Sequence, residues 1–505
     1  MASRARMAPR YWRSLFVAAV VPASGLAAGG EAASPPGAAG RARPNIVFIL
    51  ADDLGYTDVA CYGSRYYETP HIDRLAAQGV RFTQGYTCGP NCAPTRAALM
   101  SGQYGPRTGV YTVGSIERFD WRSRPLRPVD NVTNLPLEKI TIAQALKDAG
   151  YATAMFGKWH LGDTGRYHPR RRGFDEAIVS AGVHFNFRTD PKVEYPAGTY
   201  LADFLTDKAV DFIRRHKDKS FFLYLSHFAV HSPYQAKADL IARFKPRKPA
   251  GGHHDPTYAA MIASVDESVG RILAVLDELE LSDRTLVIFS SDNGGVGGYE
   301  REGLTRSPGI TDNAPLRGGK GMLYEGGIRV PYIFRFTGRI APGRTCDQPI
   351  NSVDLYPTLL ELAGVRPPAG YVLDGTSYLP LLTDDGRMTR KGEAIYWHFP
   401  GYLGAGPGQW RTLPVGVVRS GDWKLMEFFE DGRLELYNLR EDIGEKRNLV
   451  GKLPEKAKEL QADLHEWRKR VNAPMPEPNP HPDPKAKKPR RQATRPAPDA
   501  AGTIG

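Results

Sequence analysis

The chain alternates short, unbroken apolar runs with stretches whose apolar residues recur at helical spacing. Residues 45–50 (NIVFIL), 151–156 (YATAMF), 221–225 (FFLYL) and 285–290 (TLVIFS) are runs of the first kind, the pattern of strands covered on both faces. Val80–Thr83 is a further strand candidate. Between them, Thr69-Pro70 predicts a helix cap with proline in the first turn, opening HIDRLAAQG, and Thr141 predicts the cap of IAQALKDAG. Residues 257–281 place Met261, Val265, Val269, Ile272, Leu276 and Leu279 on one helical face. This alternation predicts an α/β fold, a large, mostly parallel sheet flanked by helices.

The pattern changes near residue 390. VGVVRSGDWKLMEFF, then EDGR, then LELYNL reads as antiparallel hairpins with an Asp431-Gly432 turn, and a charged helix from about Pro454 to Arg470 closes a smaller unit. From Ala473 the chain is Pro-rich, basic and free of aromatics, so residues 473–505 are expected to be disordered. At the other end, Arg4, Arg6, Arg10 and Arg13 precede a short apolar stretch and small residues at 25–28, the layout of a cleaved export signal. An N-terminal membrane anchor is the competing reading. No later run of about 20 apolar residues predicts a membrane span. The expected division is 1–40 signal and linker, 41–389 main domain, 390–472 C-terminal α+β subdomain and 473–505 tail, in an exported, periplasmic or secreted protein.

Charge changes this picture little. Of the net +12, the first 40 residues and the tail from Ala473 each carry +3, leaving a mild bias over the body. That bias suits a polyanionic substrate or simply a soluble surface. No nucleic-acid-binding signature accompanies it. The four cysteines, Cys61, Cys88, Cys92 and Cys346, could form two disulfides in an exported chain, and Cys88 and Cys92 are close enough to invite pairing. Cys92 is nevertheless an odd packing residue, because CGPNCAPTRAALMSG puts it at an exposed turn entering a helix.

In open α/β sheets the working residues lie beyond the carboxyl ends of the strands. Here the first strand ends in Ala51-Asp52-Asp53 and the strand at 285–290 in Ser291-Asp292-Asn293-Gly294. The strand at 151–156 leads into Gly157-Lys158-Trp159-His160, and the one at 221–225 into His227 and His231. Three carboxylates and an amide form an oxygen-only set that favours Ca²⁺ or Mg²⁺ over zinc, although each pair alone could be a turn or cap. Arg96, Lys158, Lys320, His160 and His231 would surround the ion with positive charge. Such a site binds an anion, a sulfate or phosphate ester.

These residues resemble the type I sulfatases of the alkaline phosphatase superfamily. Cys92-Ala93-Pro94-Thr95-Arg96 matches the Cys-X-Pro-X-Arg signature and runs on into AALMSG. PNIVFILADDLGY, TPHIDRLAAQGVRF, YATAMFGKWHLG, FFLYLSHFAVHSPY, FSSDNGG, LRGGKGMLYEGGIRVP, VDLYPTLLELAG, GDWKL and ELYNLREDIGEKRNL follow in family order over roughly residues 44–450. The resemblance implies an alkaline-phosphatase-like fold and a nucleophile made from Cys92. A separate formylglycine-generating enzyme would oxidise that thiol to an aldehyde before folding is complete, and the aldehyde would hydrate to a diol. One diol hydroxyl would attack sulfur, leaving a sulfate ester on residue 92. Deprotonation of the other would collapse the hemiacetal and expel sulfate.

Position by position, the resemblance implies Asp52, Asp53, Asp292 and Asn293 as metal ligands, completed by residue 92, with Ca²⁺ or Mg²⁺ as the ion. Arg96 would hold the diol, while Lys158 and Lys320 would bind sulfate oxygens. His231 would be the acid toward the leaving oxygen and His160 the base for collapse. His398 is a further candidate for substrate contact, and the segment Phe174–Phe187, with Ser180 and His184, lies where the family often supplies another. The expected substrate is a sulfated carbohydrate. The alternative is a phosphoester or phosphonate monoester of the same superfamily's repertoire. Neither nucleic acid nor a membrane span in the mature chain is expected.

Overall fold

The computed structural model describes residues 43–306, 309–383, 394–406 and 408–483. The main sheet contains β1 (Asn45–Ala51), β2 (Val80–Phe82), β3 (Ala152–Gly157), β4 (Glu176–Val179), β5 (Phe221–Ser226), β6 (Thr285–Ser291), β7 (Tyr332–Arg335) and β8 (Arg344–Cys346). Their order across the sheet is β8-β2-β7-β6-β1-β5-β3-β4. β7 runs antiparallel to both its neighbours, and the other pairings are parallel. The expected mixed, mostly parallel sheet is therefore present.

Every residue of β1, β5 and β6 is buried, as unbroken apolar strands require when both faces are covered. Alternation of side chains splits β1 between two cores. Val47, Ile49 and Ala51 pack toward α1 (Pro70–Ala77), α3 (Leu201–Arg215) and α4 (Pro256–Glu278). Ile46, Phe48 and Leu50 pack with Leu99 and Met100 of α2 (Cys92–Ser101) and with Leu355 and Leu359.

The helix starts divide. Thr141 caps its helix as expected, accepting from Gln144 N at 3.1 Å. Thr69 does not, because its hydroxyl bonds Asp73 and the amide of Ala60. The first amides of α1 donate instead to Asp266, at 3.0 Å from His71 and 2.8 Å from Ile72. A carboxylate on α4 thus does the capping, which local sequence could not reveal.

A second sheet, β9 (Ala394–Phe399), β10 (Val415–Ser420), β11 (Trp423–Phe428) and β12 (Leu434–Asn438), is antiparallel in that order. The helix α5 (Pro454–Arg470) lies across one face, where Trp467 stacks on Tyr396 with ring centroids 4.7 Å apart. The other face packs Ile395, Trp397, Val417 and Met426 against Tyr86 and Ile328 of the main body. The expected boundary at 389/390 and the expected signal over 1–40 lie outside the described residues. Among those described, no helix is long and apolar enough to cross a membrane.

The two sheets are joined by a buried charge cluster. Lys424 of β11 is fully buried, with its ammonium 2.8 Å from Glu445 and 3.0 Å from Glu325. Glu325 also accepts from Tyr86 at 2.7 Å and from Arg329 at 3.3 Å. Burial raises both carboxyls. Lys424 and Arg329 outweigh it at Glu325, which is held at about 2. At Glu445 burial prevails over Lys424, and the carboxyl is pushed to about 7.

The expectation of disorder from residue 473 needs correction in its first residues. Glu477–Pro478 pairs antiparallel with Leu126–Arg127. The Asn479 side chain donates to the carbonyls of Arg122 and Arg124. Proline removes only its own donor, and the amides that remain in the segment hold it, Asn479 N donating to the Pro125 carbonyl at 2.7 Å and Asp483 N to the Arg122 carbonyl at 2.9 Å. The basic part of the tail, from 484, lies outside the described residues.

Candidate active site

β6, β1, β5 and β3 are consecutive neighbours in register, with Ala51 opposite Ser291, Leu50 opposite Ser226 and Gly157 opposite Ser226. Their carboxyl ends finish level, so the residues that follow them converge. Asp52 and Asp53 follow β1, Asp292 and Asn293 follow β6, Lys158 and His160 follow β3, and His231 follows β5. Ligand-capable atoms of Asp52, Asp53, Cys92 and His231 lie within 4.8 Å of one another.

Asp292 and Asn293 join this cluster by direct bonds. Asp292 accepts from Asp53 N at 3.2 Å, and the Asn293 amide donates to Asp53 at 2.8 Å. The side-chain oxygen of Asn293, Oδ1, is buried without a hydrogen-bond partner. Arg96 grips Asp292 with Nε at 2.9 Å and Nη2 at 2.7 Å, and donates through Nη1 to Ser226 at 2.6 Å and the Lys158 carbonyl at 2.8 Å. Lys158 pairs with Asp52, and Lys320 with Asp53 at 2.7 Å.

Three cations thus balance three carboxylates in a site nearly closed to water. Burial alone raises the Asp52 carboxyl, but Lys158, His231 and Arg96 together hold it well below the usual range. Asp292 is pushed up to about 6 by burial and by the charge of Asp52, even with Arg96 against it.

Cys92 is the first residue of α2, all ten residues of which are buried. It is 2% exposed, so the exposed turn expected from sequence is in fact covered. Its thiol donates toward Asp52 at 3.5 Å, and burial with the nearby Asp292 raises its pKa to about 12. None of the four cysteines is in a disulfide. Cys88 turns away to Asn351, at 2.5 Å, so the Cys88–Cys92 pairing left open by the sequence is not made.

His160 has a left-handed backbone, φ 62°, and a buried Nδ1 without a partner. Burial, with Lys158 and Arg96 close by, lowers its pKa to about 3 and keeps the ring neutral. His231 sits at the rim, with Nδ1 2.6 Å from the Ser232 carbonyl and Nε2 3.7 Å from Asp53. Because a carbonyl only accepts, Nδ1 carries a proton and Nε2 faces the cluster. His184, from the unassigned segment 174–187, bonds the His231 carbonyl at 2.8 Å between the rings of Tyr200 and Phe228. Ser180 bonds the Arg188 carbonyl instead.

Ser226 was missed by sequence reasoning. It ends β5, and its hydroxyl donates to the Lys158 carbonyl while accepting from Arg96. Its place as the last polar residue of an apolar strand was the available signal.

His398 is not brought to the cluster. It lies on β9, with Nε2 2.7 Å from the Pro474 carbonyl and its ring near Tyr111 and Phe429. Burial lowers its pKa to about 4, although the Pro474 carbonyl opposes this. The unfolded chain therefore binds the extra proton between about pH 6.5 and 4. The neutral ring's contribution is present above that window and lost as pH falls through it. His398→Gln should leave kcat and KM within about twofold. Relative to the parent, the variant should gain about 2 kcal/mol on going from about pH 7 to about pH 5, as read by urea unfolding at the two pH values. A rise in KM without that pH-dependent shift would return His398 to the substrate site.

The model of the family described as Sulfatase matches residues 44–365, and one described as N-sulphoglucosamine sulphohydrolase, C-terminal, matches 319–473. The chain belongs to the sulfatase family. A protein of Formosa agariphila named Sulfatase is 35% identical to this sulfatase over 513 residues, covering 86% of this chain and 90% of its own. The N-acetylgalactosamine-6-sulfatase of Canis lupus familiaris is 34% identical over 74% of this chain and 70% of its own. Among solved structures, Ps i-CgsB in complex with k-i-k-neocarrahexaose superposes with a TM-score of 0.71 at 30% identity. It covers 87% of this sulfatase and 94% of that chain. The sulfatase is a hydrolase, and its family implies a formylglycine, the enzyme that makes it, and a divalent metal.

Proposed function

We propose that this sulfatase is exported and hydrolyses sulfate esters on a sulfated carbohydrate, with residue 92 as the formylglycine nucleophile. The observation that carries this reading is the position of Cys92, buried at the N-terminus of α2 within a cluster of three carboxylates and three cations. A thiol held neutral there serves neither packing nor a disulfide. The relatives add the substrate class, since one is named for a sulfated amino sugar and another was solved with a neocarrahexaose.

The donor set fits a hard divalent ion. Its candidate ligands are oxygens, they converge, and the Asn293 oxygen among them is buried without a partner. Asp52, Asp53, Asp292 and Asn293, beside residue 92, would hold Ca²⁺ or Mg²⁺. When bound, the ion supplies Lewis acidity to the nucleophile and to the sulfate oxygens. The remaining roles belong to side chains whose places are known. Arg96, locked by Asp292 and Ser226, orients residue 92 from the next turn of α2. Lys158 and Lys320 present ammonium groups to sulfate oxygens. His231, fixed through Nδ1, offers Nε2 as the donor of a proton to the leaving oxygen. His160, kept neutral by burial and by its cationic neighbours, is the acceptor for the proton released when the residue-92 ester breaks down.

The test pairs two measurements on protein made with the maturation enzyme. Mass spectrometry of the residue-92 peptide should show the aldehyde or its hydrate. Nitrophenyl sulfate should be turned over at least about tenfold faster than the phosphate ester. An unmodified thiol in active protein, or a preference for phosphate, would overturn the reading.

A further inference from the structure

Beyond the cluster, the segment that follows His160 forms the wall of a groove of about 940 Å³, lined by Arg166, His168, Arg170, Arg171, Arg172 and Asp190 among others. Arg166, Arg170 and Arg171 are exposed. Among the described residues their guanidinium groups make no hydrogen bond or ion pair. Some exposed arginines elsewhere are engaged, Arg122 with Glu117, Arg214 with Glu278, Arg215 with Glu176 and Asp211, and Arg271 with Asp207, while others such as Arg65 and Arg366 stand singly. Three unengaged guanidinium groups on one short stretch are a field held ready for anions.

The groove is built rather than frayed. Arg172 is 2% exposed and donates to the carbonyls of Leu135 at 2.8 Å, Pro136 at 3.2 Å and Lys139 at 2.7 Å, which anchors the stretch from below. His168 Nδ1 accepts from Arg170 N at 3.2 Å. Nε2 therefore carries the ring proton, and it is buried with no hydrogen-bond partner. The nearest carboxylate is Asp190, 3.9 Å away. Asp190 is the one acid among the groove's lining residues, against Arg166, Arg170 and Arg171, with Asp163 also near His168.

The stretch is also tied to the catalytic loop. Trp159, between Lys158 and His160, donates its indole N–H to the Tyr167 carbonyl at 3.0 Å. Because β3 and β4 are parallel, the connection from Gly157 to Glu176 must travel back along the length of the sheet. The groove wall is thus the same connection that leaves the catalytic end at Lys158 and His160, which puts its arginines a short stretch of chain beyond the cluster.

We infer that this groove is an exosite for a polyanionic carbohydrate, with Arg166, Arg170 and Arg171 holding sulfate groups of the same chain whose ester is presented to residue 92. The inference rests on the carbohydrate reading above. It adds that the enzyme works on polymers carrying several sulfates, because three guanidinium groups apart from the cluster call for sulfates other than the one being cleaved. Guanidinium groups pair with sulfate oxygens through two parallel N–H donors.

The experiment compares the full chain with an Arg166→Gln/Arg170→Gln/Arg171→Gln variant. Dextran sulfate is the binding probe and neutral dextran the control, in low and moderate salt. The variant should lose at least about tenfold in affinity for dextran sulfate at low salt, with a shallower salt dependence. Its kcat/KM on nitrophenyl sulfate should be unchanged. On a sulfated polysaccharide that the parent hydrolyses, KM should rise with little change in kcat. Equal binding of dextran sulfate by parent and variant would overturn the exosite whatever the substrate proves to be. Retained binding loss in an enzyme that cleaves aryl sulfate but no polysaccharide would keep the anion site and sink the carbohydrate reading.

Discussion

Serine in place of Cys92 is expected to lower steady-state sulfate release by at least about 10³-fold, while leaving a single rapid turnover. The formylglycine hydrate offers two hydroxyls, one to take sulfate and one to expel it. Serine offers one. Its oxygen sits in the same buried place at the start of α2, with Arg96 on the next turn and Lys158 and Lys320 at hand. It can therefore accept a sulfuryl group, but no second hydroxyl on that carbon can release it. Rapid-quench assays should show a burst near one equivalent, and intact mass should show one added sulfuryl group on residue 92. Sustained turnover at the parental rate would remove the central role of residue 92. Cys92→Ala, lacking any oxygen, should show neither burst nor adduct.

The largest expected effect on stability lies far from the chemistry. Lys424→Met should cost about 3–5 kcal/mol, because it leaves Glu325 and Glu445 buried without their shared counter-charge. Methionine fills much of the lysine's volume, so a cavity is not the cause. Adding Glu445→Gln should recover part of the loss by removing one stranded charge, since Glu445 is the carboxyl already driven up by burial. Urea unfolding of the two variants and the parent decides the matter. A loss below about 1 kcal/mol for Lys424→Met would mean that water or a shifted Arg329 replaces the ammonium.

The strands and their terminal residues were legible because burial on both faces writes itself as unbroken apolar runs. The polar pair that ends such a run stands out, as at Asp52-Asp53 and Asp292-Asn293. What failed to show was contact across long separations. Asp266 caps α1 from a helix almost two hundred residues away, so Thr69 looked sufficient. The burial of Cys92 depends on elements packed over α2, and a glycine- and proline-rich neighbourhood gave the opposite impression. His398 stands in a strand buried on both faces, where sequence alone does not tell a packed ring from one that reaches a substrate, and the partner that fixes it is a carbonyl of the tail. That tail carries few amides and no aromatic side chain, so composition hid its pairing with Leu126–Arg127.

The closure of α2 has a consequence in time. With residue 92 covered and the whole helix buried, a catalyst acting on that side chain must arrive before the sheet and its helices close over it. Conversion and collapse are then competitors, and the yield of working molecules is a ratio of two rates, not a balance between two states. A molecule that closes first stays a well-packed thiol protein. Faster folding, ordinarily an advantage, would here lower the share of chains that ever become catalysts.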